Sequence, residues 1–439
     1  GAAGTNALDI TGAALLTGKL TYSTVANTQL RLSGDLNAWS GGTFNIGTVV
    51  TPVPSGTTAI LEFDCGVAVD YGLTVQNEGT MVAQGASMTA VTALLAADAA
   101  AAATALTTNI ATGWKNGDDI CIASTTRIHT QCENKALTAD AVGTGLTITA
   151  ITNAHSGTSP TQGELGNLTR NVRIGAVTAS LPTFVNITNS ATVDWDYVAV
   201  ANIGSATATK RGIDCNPTTG SVDIRYSVIR DVKTSGLALY LSAATANNVT
   251  FRFNIVYNVV TYGVHVAVTS GTNIVISDNL IMLGTALGGA AGLLHLLDVG
   301  GTIQNNTIVG SSDNGMYYNE AATLGTHSGN TVHSCGAADY GVYFAGIPVG
   351  TIGSLTIWRC ATIGVNFSVN KTLDAPLVID GLTIFGCTVA HIYAAGVDLT
   401  GTIIKNATIN GGVTLVGAAG VYVTAVQGLT IADSSFGAT

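Results

Sequence analysis

Charged residues are scarce in this chain of 439 residues. They account for 10% of it, against roughly 25% in an ordinary soluble domain. The 16 Lys and Arg residues form no cluster and are outnumbered by 26 Asp and Glu residues, which gives a net charge of -10. Because binding to a phosphate backbone depends on a basic surface, we expect no nucleic-acid partner.

Long apolar runs are also missing. Although 47% of the residues are hydrophobic, no uninterrupted apolar stretch reaches about 18 residues, the length that a membrane-spanning helix needs. We therefore expect no membrane span. The first residue is Gly1 and no signal-peptide pattern precedes the fold, so we expect the sequence to be a processed chain or a fragment.

The cysteines lack the spacing of a metal site. None of the seven belongs to a CxxC pair or lies beside a histidine pattern, which disfavours a metal cluster. We expect them to be small buried hydrophobic side chains. In an oxidising compartment Cys121 and Cys132 are the pair that would bridge one loop.

What the chain does contain is a repeat. Short segments of its second half run apolar, polar, apolar, then Asn or a small residue, then apolar again. A repeat of roughly 20 to 30 residues is typical of a solenoid. The anchoring positions are Ser227, Asn254, Asn279, Asn306, Asn330, Cys360, Cys387, Asn406 and Ser434.

Alternation with period two inside each segment predicts strands with one inward and one outward face. If every turn of the chain adds a strand at the same place, the strands pair in parallel. The sequence thus predicts an all-β fold, a right-handed parallel β-helix preceded by a β-roll-like part. Inward Asn side chains at a bend predict a hydrogen-bonded ladder, with members Asn254, Asn279, Asn306, Asn330 and Asn406.

The first part also has short β-like runs separated by Gly-rich turns. The alanine-rich stretch at 93–108 has the highest helix propensity of the chain, because alanine costs least in a helix. It fits a helix or, in its latter half, a strand.

Residues 114–174 carry the most specific pattern: WKNGDDICIASTT, then Glu133 after Cys132, then ITNAHSG and GELGNLTRNVRI. In this order they resemble the domain family named for its eight glycines, which occurs in cell-surface hyaluronan-degrading proteins, in fibrocystin-like proteins and in phage and bacterial proteins. The matching residues are Trp114, Gly117, Asp118, Ile120, Ser124, Thr125, Glu133, His155, Gly157, Leu168, Arg170 and Asn171.

The resemblance implies a β-roll that leads into a parallel β-helix. We expect an N-terminal β segment at 1–54, the eight-glycine β-roll at 55–177 and β-helix repeats at 178–439. Where the hyaluronan-degrading relatives carry histidines around an aromatic residue, this chain has Asp214, Cys215 and Asn216. A shared fold does not carry its relatives' chemistry with it.

Six polar or aromatic residues of that segment are expected to form a structural latch: Trp114, Asp118, Glu133, His155, Arg170 and Asn171. Arg170 is expected to pair with Glu133 or Glu164. The alternative is acid–base catalysis by His155 with Glu133. The run Gly117, Asp118, Asp119 is interpreted as a turn, with calcium binding as its alternative, and we expect no cofactor and no other metal.

Asp194, Asp196, Asp214 and Asp223 fall on successive predicted turns of the solenoid. They are the candidate catalytic residues, because two carboxyl groups on one face suit the cleavage of glycosidic bonds. Tyrosine and tryptophan rings are candidates for stacking on sugars: Trp195, Tyr197, Tyr226, Tyr240, Tyr257, Tyr262, Tyr317 and Tyr318.

These observations favour an extracellular or virion-surface structural protein, such as a phage fibre, spike or decoration component with glycan contacts. One alternative is a polysaccharide-degrading hydrolase or lyase; a lyase would need a cation beside the acidic group, and Lys210, Arg211, Arg225 and Arg230 are its candidates. The other is a bacterial adhesin or filament subunit. The expected partners are surface glycans and other structural subunits, including copies of the chain itself in a homo-oligomer.

Overall fold

The structure is a computed structural model of the whole chain. It describes residues 5–67, 69–205, 207–233, 236–241, 246–268, 273–284, 292–319, 323–336, 340–370, 375–410, 419–424 and 426–437. Within these ranges the chain winds through three long parallel sheets in a fixed order. This confirms the predicted all-β parallel β-helix.

Sheet 1 has 14 strands among the described residues. They are Thr5–Thr11, Asn27–Ser33, Ala59–Phe63, Val172–Ala176, Val198–Ala201, Val228–Val232, Ile255–Val259, Leu280–Gly284, Thr307–Ser311, Thr331–His333, Thr356–Trp358, Thr383–Phe385, Thr408–Asn410 and Ser435–Gly437.

Sheet 2 follows sheet 1 in every coil and has 13 described strands. They are Ala14–Leu16, Leu36–Ala38, Gly72–Val75, Phe184–Asn189, Gly212–Pro217, Leu237–Leu241, Tyr262–Val268, Gly292–Val299, Asn314–Tyr318, Tyr340–Phe344, Ile363–Phe367, Ala390–Ala395 and Ala419–Thr424.

Sheet 3 completes each coil, again with 13 described strands. They are Lys19–Thr21, Thr43–Ile46, Thr80–Gln84, Thr192–Asp196, Ser221–Arg225, Val249–Arg252, Ile274–Ser277, Thr302–Gln304, Thr326–Ser328, Gly350–Gly353, Leu377–Asp380, Ile403–Lys405 and Thr430–Ala432.

The core is the interior of the solenoid, where inward side chains of successive coils stack on one another. Phe344, for example, stacks on Tyr318 and on Phe367 with ring centroids 4.9 Å apart in both pairs. Burial of each such large apolar side chain contributes about 1.5–3 kcal/mol. The low charge and high apolar content of the sequence follow from this geometry, because every strand turns one face into the core.

At two corners of the coil, a single residue with left-handed backbone (positive φ) changes the direction of the chain. Between sheets 3 and 1 this residue is, for example, Asp278, Asn305 or Asn406. Between sheets 1 and 2 it is, for example, Asn202 or Gly386. Asn, Asp and Gly tolerate positive φ best, so their recurrence in the repeat marks these corners.

The Asn ladder lies one residue after the corner between sheets 3 and 1. The side-chain oxygen of each Asn accepts the backbone N–H of the equivalent residue one coil earlier, at 2.9 Å from Asn279 to Asn254 and 3.0 Å from Asn330 to Asn306. Each side-chain nitrogen donates to a backbone carbonyl, such as that of Ile276 for Asn306. The four stacked members are Asn254, Asn279, Asn306 and Asn330, all fully buried.

Asn406 does not belong to this ladder. It occupies the left-handed corner position itself, and its side chain donates to Asp380 Oδ1 at 2.7 Å on the surface. Ala407 takes the ladder position in that coil, since its backbone N–H is bonded to the hydroxyl of Ser434 one coil later. The repeat read from the sequence is therefore shifted by one residue there.

The cysteines are buried free thiols. Cys121 and Cys132 are not bridged, and burial raises the pKa of each to about 12. Cys360 and Cys387, which the sequence repeat aligned with the Asn positions, instead follow the left-handed residues Arg359 and Gly386 at the corner between sheets 1 and 2.

A small antiparallel unit is inserted into the solenoid between Gln84, which ends a strand of sheet 3, and Val172, which begins one of sheet 1. Residues 59–84 supply strands to all three long sheets. The four-stranded sheet of the insert consists of Thr92–Leu94, Glu164–Asn167, Asp119–Ile122 and Glu133–Ala136. A two-stranded sheet consists of Ala105–Thr107 and Gly145–Thr147, and a short 3-10 helix spans His129–Gln131.

The alanine-rich stretch at 93–108 forms strands rather than a helix. Its ends pair with Glu164–Asn167 and with Gly145–Thr147. Tertiary pairing thus outweighs the small helical preference of alanine.

The insert packs on the outer face of sheet 1. Cys121 and Leu168 of the insert share one buried apolar cluster with Val228, Tyr257 and Met282 of that sheet. At these coils the outer face of sheet 1 is therefore covered. In the part of the chain that the structure describes, no helix is long and apolar enough to cross a membrane.

Candidate functional site

Chemically active side chains are concentrated on the outer face of sheet 2. One outward position recurs in every coil from Asn186 to Asn366, and the residues at this position in adjacent strands are paired directly with each other. We call it the sheet 2 column; it consists of Asn186, Asp214, Tyr240, His265, His295, Tyr317, Tyr343 and Asn366. Tyr393 and Tyr422 continue the register.

Aromatic and imidazole rings form a continuous row in this column. The ring centroids of Tyr240 and His265 lie 4.9 Å apart, those of His295 and Tyr317 4.8 Å apart, and those of Tyr317 and Tyr343 5.2 Å apart. The spacing follows from the parallel register, because neighbouring coils are about 4.8 Å apart.

His265 and His295 form a hydrogen-bonded pair at the centre of the row. Their Nδ1 atoms are 3.0 Å apart, so one nitrogen must donate and the other accept. Burial lowers the pKa of His265 to about 4 and that of His295 to about 3. Both imidazoles are therefore neutral at physiological pH.

One end of the row carries charge. The guanidinium of Arg211 lies over the ring of Tyr240, 4.5 Å from its centroid, and the backbone N–H of Arg211 donates to Asp214 Oδ2 at 2.9 Å. Burial raises the pKa of Asp214 above its usual range. The column thus lines up rings, neutral imidazoles and a few charged groups in register, and its middle, at His265, His295 and Tyr317, is buried.

Of the four predicted catalytic aspartates, Asp194, Asp196 and Asp223 lie together, but on sheet 3 rather than on sheet 2. They surround Arg225, which pairs with Asp196 through Nε at 2.8 Å and through Nη2 at 2.9 Å. Asp194 lies 3.5 Å from Arg225 Nη2. Asp223 lies 3.3 Å from Nε, an ion pair that lacks hydrogen-bond geometry.

Burial raises the pKa of both Asp196 and Asp223 above the usual carboxyl range, in spite of the neighbouring Arg225. Two carboxyl groups of this aspartate cluster therefore keep their protons to a higher pH than a free carboxyl group. Asp214, on another sheet, cannot act with it.

The basic candidates are similarly divided. Arg225 lies in the aspartate cluster and Arg211 beside the sheet 2 column. Lys210 donates to the carbonyl of Asp70 at 2.9 Å, and Arg230 pairs with Asp231 and Asp119.

Within the insert, Glu133 and His155 meet in a closed polar centre. His155 Nε2 lies 3.1 Å from Glu133 Oε1, and its Nδ1 lies 2.8 Å from the carbonyl of Ala123. Burial alone would raise the pKa of Glu133, but hydrogen bonds from Lys135 and from the backbone of Thr152 and Asn153 lower it to about 2. Because both ring nitrogens of the buried imidazole are engaged, the arrangement favours a structural role over catalysis.

Arg170 does not pair with Glu133 or Glu164. It is buried and donates to the carbonyls of Asn167, Thr169 and, across the interface, Tyr226 of the solenoid. The buried guanidinium of Arg170 bonds the carbonyl oxygens next to it. Glu133 is bonded by other donors, among them Lys135 and the backbone of Thr152. Glu164 instead lies 3.0 Å from Nε2 of His333 on sheet 1.

The other latch residues lie at the junction or in the core of the insert. Asn171 donates from Nδ2 to the carbonyls of Val53, Pro54 and Thr57, and its Oδ1 accepts the N–H of Ala86. Asn171 therefore links the start of the insert, at Ala86, and its end to the preceding coil of the solenoid.

Trp114 is buried in the insert and donates from Nε1 to the carbonyl of Ala90 at 2.7 Å. Asp118 Oδ2 accepts the backbone N–H of Lys115 and the amide of Asn167, each at 2.8 Å. These contacts favour the turn interpretation of Asp118. Among the described residues, no group of three or more His, Cys, Asp or Glu side chains could hold a metal ion.

The aromatic candidates fall into distinct environments. Tyr240, Tyr262 and Tyr317 belong to the outer face of sheet 2 or pack against its column. Tyr197 and Tyr226 stack at the corner between sheets 3 and 1. Four of the eight candidates are buried: Trp195, Tyr257, Tyr317 and Tyr318.

Sequence reasoning missed Asn186, His265, His295, Tyr343 and Asn366. A pattern of Gly, apolar, then a ring or amide could have found three of them, as in GVH, GVY and GVN at 263–265, 341–343 and 364–366. The glycine is required by close approach, since a Cβ on Gly341 would lie 2.7 Å from the carbonyl oxygen of the next coil.

Residues 287–436 match the family described as right-handed beta helix region. No curated protein matches the sequence. Among solved structures, the chain is similar to a periplasmic alginate epimerase at 9% identity, with 93% of this chain and 76% of the epimerase covered and a TM-score of 0.40.

Two further structures are similar. The catalytic unit of an α-1,3-glucanase from Streptomyces thermodiastaticus has 11% identity, coverage of 80% of this chain and 88% of its own, and a TM-score of 0.36. The Gp54 tailspike of Acinetobacter baumannii bacteriophage AP22 has 12% identity, coverage of 92% and 64%, and a TM-score of 0.23. The family match and the three in-register parallel sheets identify the fold of this chain as a right-handed parallel β-helix.

Proposed function

We propose that this chain is an extracellular or virion-surface structural β-helix protein whose sheet 2 column binds a polysaccharide. The observation that carries the proposal is the row of rings at coil spacing, from Tyr240 through the histidine pair to Tyr343. Tyrosine and histidine join an apolar ring to a polar tip, which suits the mixed C–H and hydroxyl surface of a sugar.

The straight geometry of the column supports a polymeric ligand. A row parallel to the solenoid axis presents similar groups at each coil, so it matches a molecule that also repeats at regular intervals. The outer face of sheet 1 also carries a stacked row, of His333, Trp358 and Phe385. The insert contacts that row through Glu164, 3.0 Å from His333 Nε2, and Trp358 is buried.

Replacement of Tyr240 or Tyr343 by alanine is expected to weaken glycan binding about ten-fold, because each change removes a partly exposed ring from the row. Binding would be screened on a polysaccharide array and quantified by isothermal titration calorimetry, with folding checked by circular dichroism. Trp39→Ala is the matched control, because Trp39 is an exposed aromatic residue several coils from the row. Equal binding by the Tyr240, Tyr343 and Trp39 variants would contradict the proposal.

A second candidate, a polysaccharide-degrading enzyme, is favoured by the aspartate cluster. A protonated Asp196 or Asp223 would donate to the leaving oxygen while an ionised neighbour activates water or stabilises positive charge on the sugar ring. Arg225 supplies the cation that a lyase would need beside the acid.

Under this alternative, Asp223→Asn is expected to lower turnover of a cleaved polysaccharide by about 100-fold or more, since a general acid contributes on that scale. Reducing-end release and absorbance of unsaturated product separate hydrolysis from elimination. The control is Asp380→Asn, a carboxylate on the same sheet that pairs with Lys405. If no polysaccharide of the array is cleaved by the unmodified chain, the enzymatic candidate fails.

The proposal also keeps the resemblance of 55–177 to the eight-glycine β-roll and the self-association of the chain into a homo-oligomer. The resemblance is supported by where its residues lie: Glu133, His155 and Arg170 hold the insert together, and Arg170 also ties it to the solenoid. Sedimentation of the purified chain would test self-association.

A further inference from the structure

Three aromatic rings occupy the corner between sheets 3 and 1 in consecutive coils. They belong to Tyr197, Tyr226 and Phe253 and are stacked, with neighbouring centroids 5.0 and 5.1 Å apart. Each of these residues has positive φ, a conformation that bulky side chains rarely adopt. In every later coil the described corner residue is a small one, Gly, Ser, Asn or Asp. The rings are thus placed against the backbone preference of the corner, which points to a function of their side chains.

The rings line an open cleft between the insert and the solenoid, which we call the junction cleft. It consists of two adjoining cavities of about 300 and 350 Å³, a size found in small-ligand sites. Both cavities are lined by Thr92 and Ile110 of the insert and by Phe253 and Asp278 of the solenoid. Phe253 is 36% exposed and Ile110 is 43% exposed. The insert therefore leaves the last ring of the stack accessible.

Phe253 ends the stack. Among the described residues Tyr226 is the only ring that stacks on it, because the next coil has Asp278 at the corner. The guanidinium of Arg252 lies 5.8 Å from the centroid of Phe253. A ligand ring beside Phe253 would take the place of the ring that the next coil lacks, since coils are about 4.8 Å apart.

Polar atoms surround this position. Asp278 accepts the side-chain amide of Asn305 with Oδ1 at 3.0 Å, Glu164 contacts His333 through Oε2, and Asn109 accepts a backbone N–H with Oδ1. All but His333 line the larger cavity. Among the described residues nothing bonds Oδ2 of Asp278, Oε1 of Glu164 or Nδ2 of Asn109, so two acceptors and one donor are free for a ligand.

A ring beside free acceptors and a donor suits a sugar. The ring packs on the C–H surface of a sugar unit, and the carboxylate oxygens and the amide nitrogen bond its hydroxyls. Phosphate and sulfate are disfavoured, because the described residues that line the two cavities include two carboxylates and no Lys or Arg.

An extended peptide is also disfavoured. Peptides commonly add to a free strand edge, and Thr92–Leu94 is an edge strand of the insert. However, the outward N–H and carbonyl of Leu94 are already bonded to the side chain and the backbone of Asn109, at 2.8 and 2.9 Å.

We propose that the junction cleft binds a short oligosaccharide, with one sugar ring stacked on Phe253 and its hydroxyls bonded to Asp278. The volume of the cleft limits the ligand to a few sugar units. This site is separate from the sheet 2 column, because it lies on the corner between sheets 3 and 1 and one of its walls belongs to the insert.

The first test is Phe253→Asn in the full chain. Asparagine tolerates positive φ better than phenylalanine, so the free energy of unfolding measured in urea is expected to stay the same or rise. Affinity for the best-binding oligosaccharide is expected to fall about ten-fold or more. The probes are di- to hexasaccharides of glucose, mannose and N-acetylglucosamine, screened by saturation-transfer NMR and quantified by calorimetry.

Asp278→Asn tests the polar side of the cleft and decides the matter if the Phe253 variant fails to fold. It is expected to weaken the same oligosaccharide about five- to ten-fold. Asp433→Asn is the matched control, because Asp433 is an aspartate with positive φ at the same corner in a coil far from the cleft. Its affinity is expected to equal that of the unmodified chain.

The outcomes separate this site from the column. Loss of binding in the Phe253 and Asp278 variants, with binding kept in Tyr240→Ala and Tyr343→Ala, supports the junction cleft. The inference is overturned if no oligosaccharide of the panel binds, if Phe253→Asn binds as the unmodified chain does, or if a heptapeptide from a display library binds the cleft more tightly than any sugar. Polysaccharide binding that depends on Tyr240 and Tyr343 would stand in each of these cases.

Discussion

Asn306→Leu is expected to lower the free energy of unfolding by about 3 kcal/mol or more. The side chain of Asn306 is fully buried, donates to the carbonyl of Ile276 and to Oδ1 of Asn330, and accepts from Asn279. Leucine has nearly the same size but would leave these buried groups without partners, and each such group costs about 1–3 kcal/mol. Urea denaturation followed by circular dichroism measures the change.

Asn406→Gly provides the comparison within the same repeat. Its side chain donates to Asp380 on the surface, and its backbone has positive φ, which glycine adopts readily. We expect a change within about 0.5 kcal/mol, as for other surface sites. A loss at Asn406 as large as that at Asn306 would show that the buried ladder has no special role.

Acidification is expected to destabilise the protein through the histidine pair. An unfolded histidine titrates near pH 6.5, whereas burial lowers the pKa of His265 to about 4 and that of His295 to about 3. Between these values the unfolded chain binds more protons than the folded chain, so stability falls as the pH falls. At pH 4 the loss relative to pH 7 is on the order of 3 kcal/mol per histidine.

The pair geometry makes the two protonations unequal. A single added proton can be shared, since an imidazolium donates to its neutral neighbour across the 3.0 Å Nδ1 to Nδ1 contact. A second proton would place two N–H groups against each other. The bond between His265 and His295 is therefore lost only when both are charged.

The double variant His265→Asn, His295→Asn isolates this contribution. Its stability is expected to change much less between pH 7 and pH 4, measured by urea denaturation at a series of pH values. Asp196, Asp214 and Asp223 have raised pKa values, so they take up protons earlier in the folded chain and oppose the trend, but equally in both proteins. An unchanged acid slope in the double variant would rule out the histidine pair as its source.

The sequence anticipated the solenoid because its two strongest patterns are local. Alternation with period two sets which side chains face inward, and a repeat of 20 to 30 residues sets the coil. Asn254, Asn279, Asn306 and Asn330 were assigned to one ladder because they share one place in that repeat. Asn406 was misplaced because the true ladder position in its coil is held by Ala407, which has no polar side chain to identify it. A shift of one residue along a strand changes the face on which a side chain lies.

The candidate site could not be assembled in the same way. Asp194, Asp196, Asp214 and Asp223 are close in sequence, yet Asp214 lies on sheet 2 and the other three on sheet 3. His265 and His295 are 30 residues apart and bond to each other. Coil length varies along the chain, so only the closed coils show which distant positions share a column.

The sequence by itself determined the strand faces and the low charge of a chain in which every coil has an inward face, because these depend on single residues and their nearest neighbours. Only the tertiary structure decided that the insert covers sheet 1, that Arg170 bonds carbonyls rather than carboxylates, and that rings line up on sheet 2. Those features depend on the register between coils, which is set by packing across the whole solenoid.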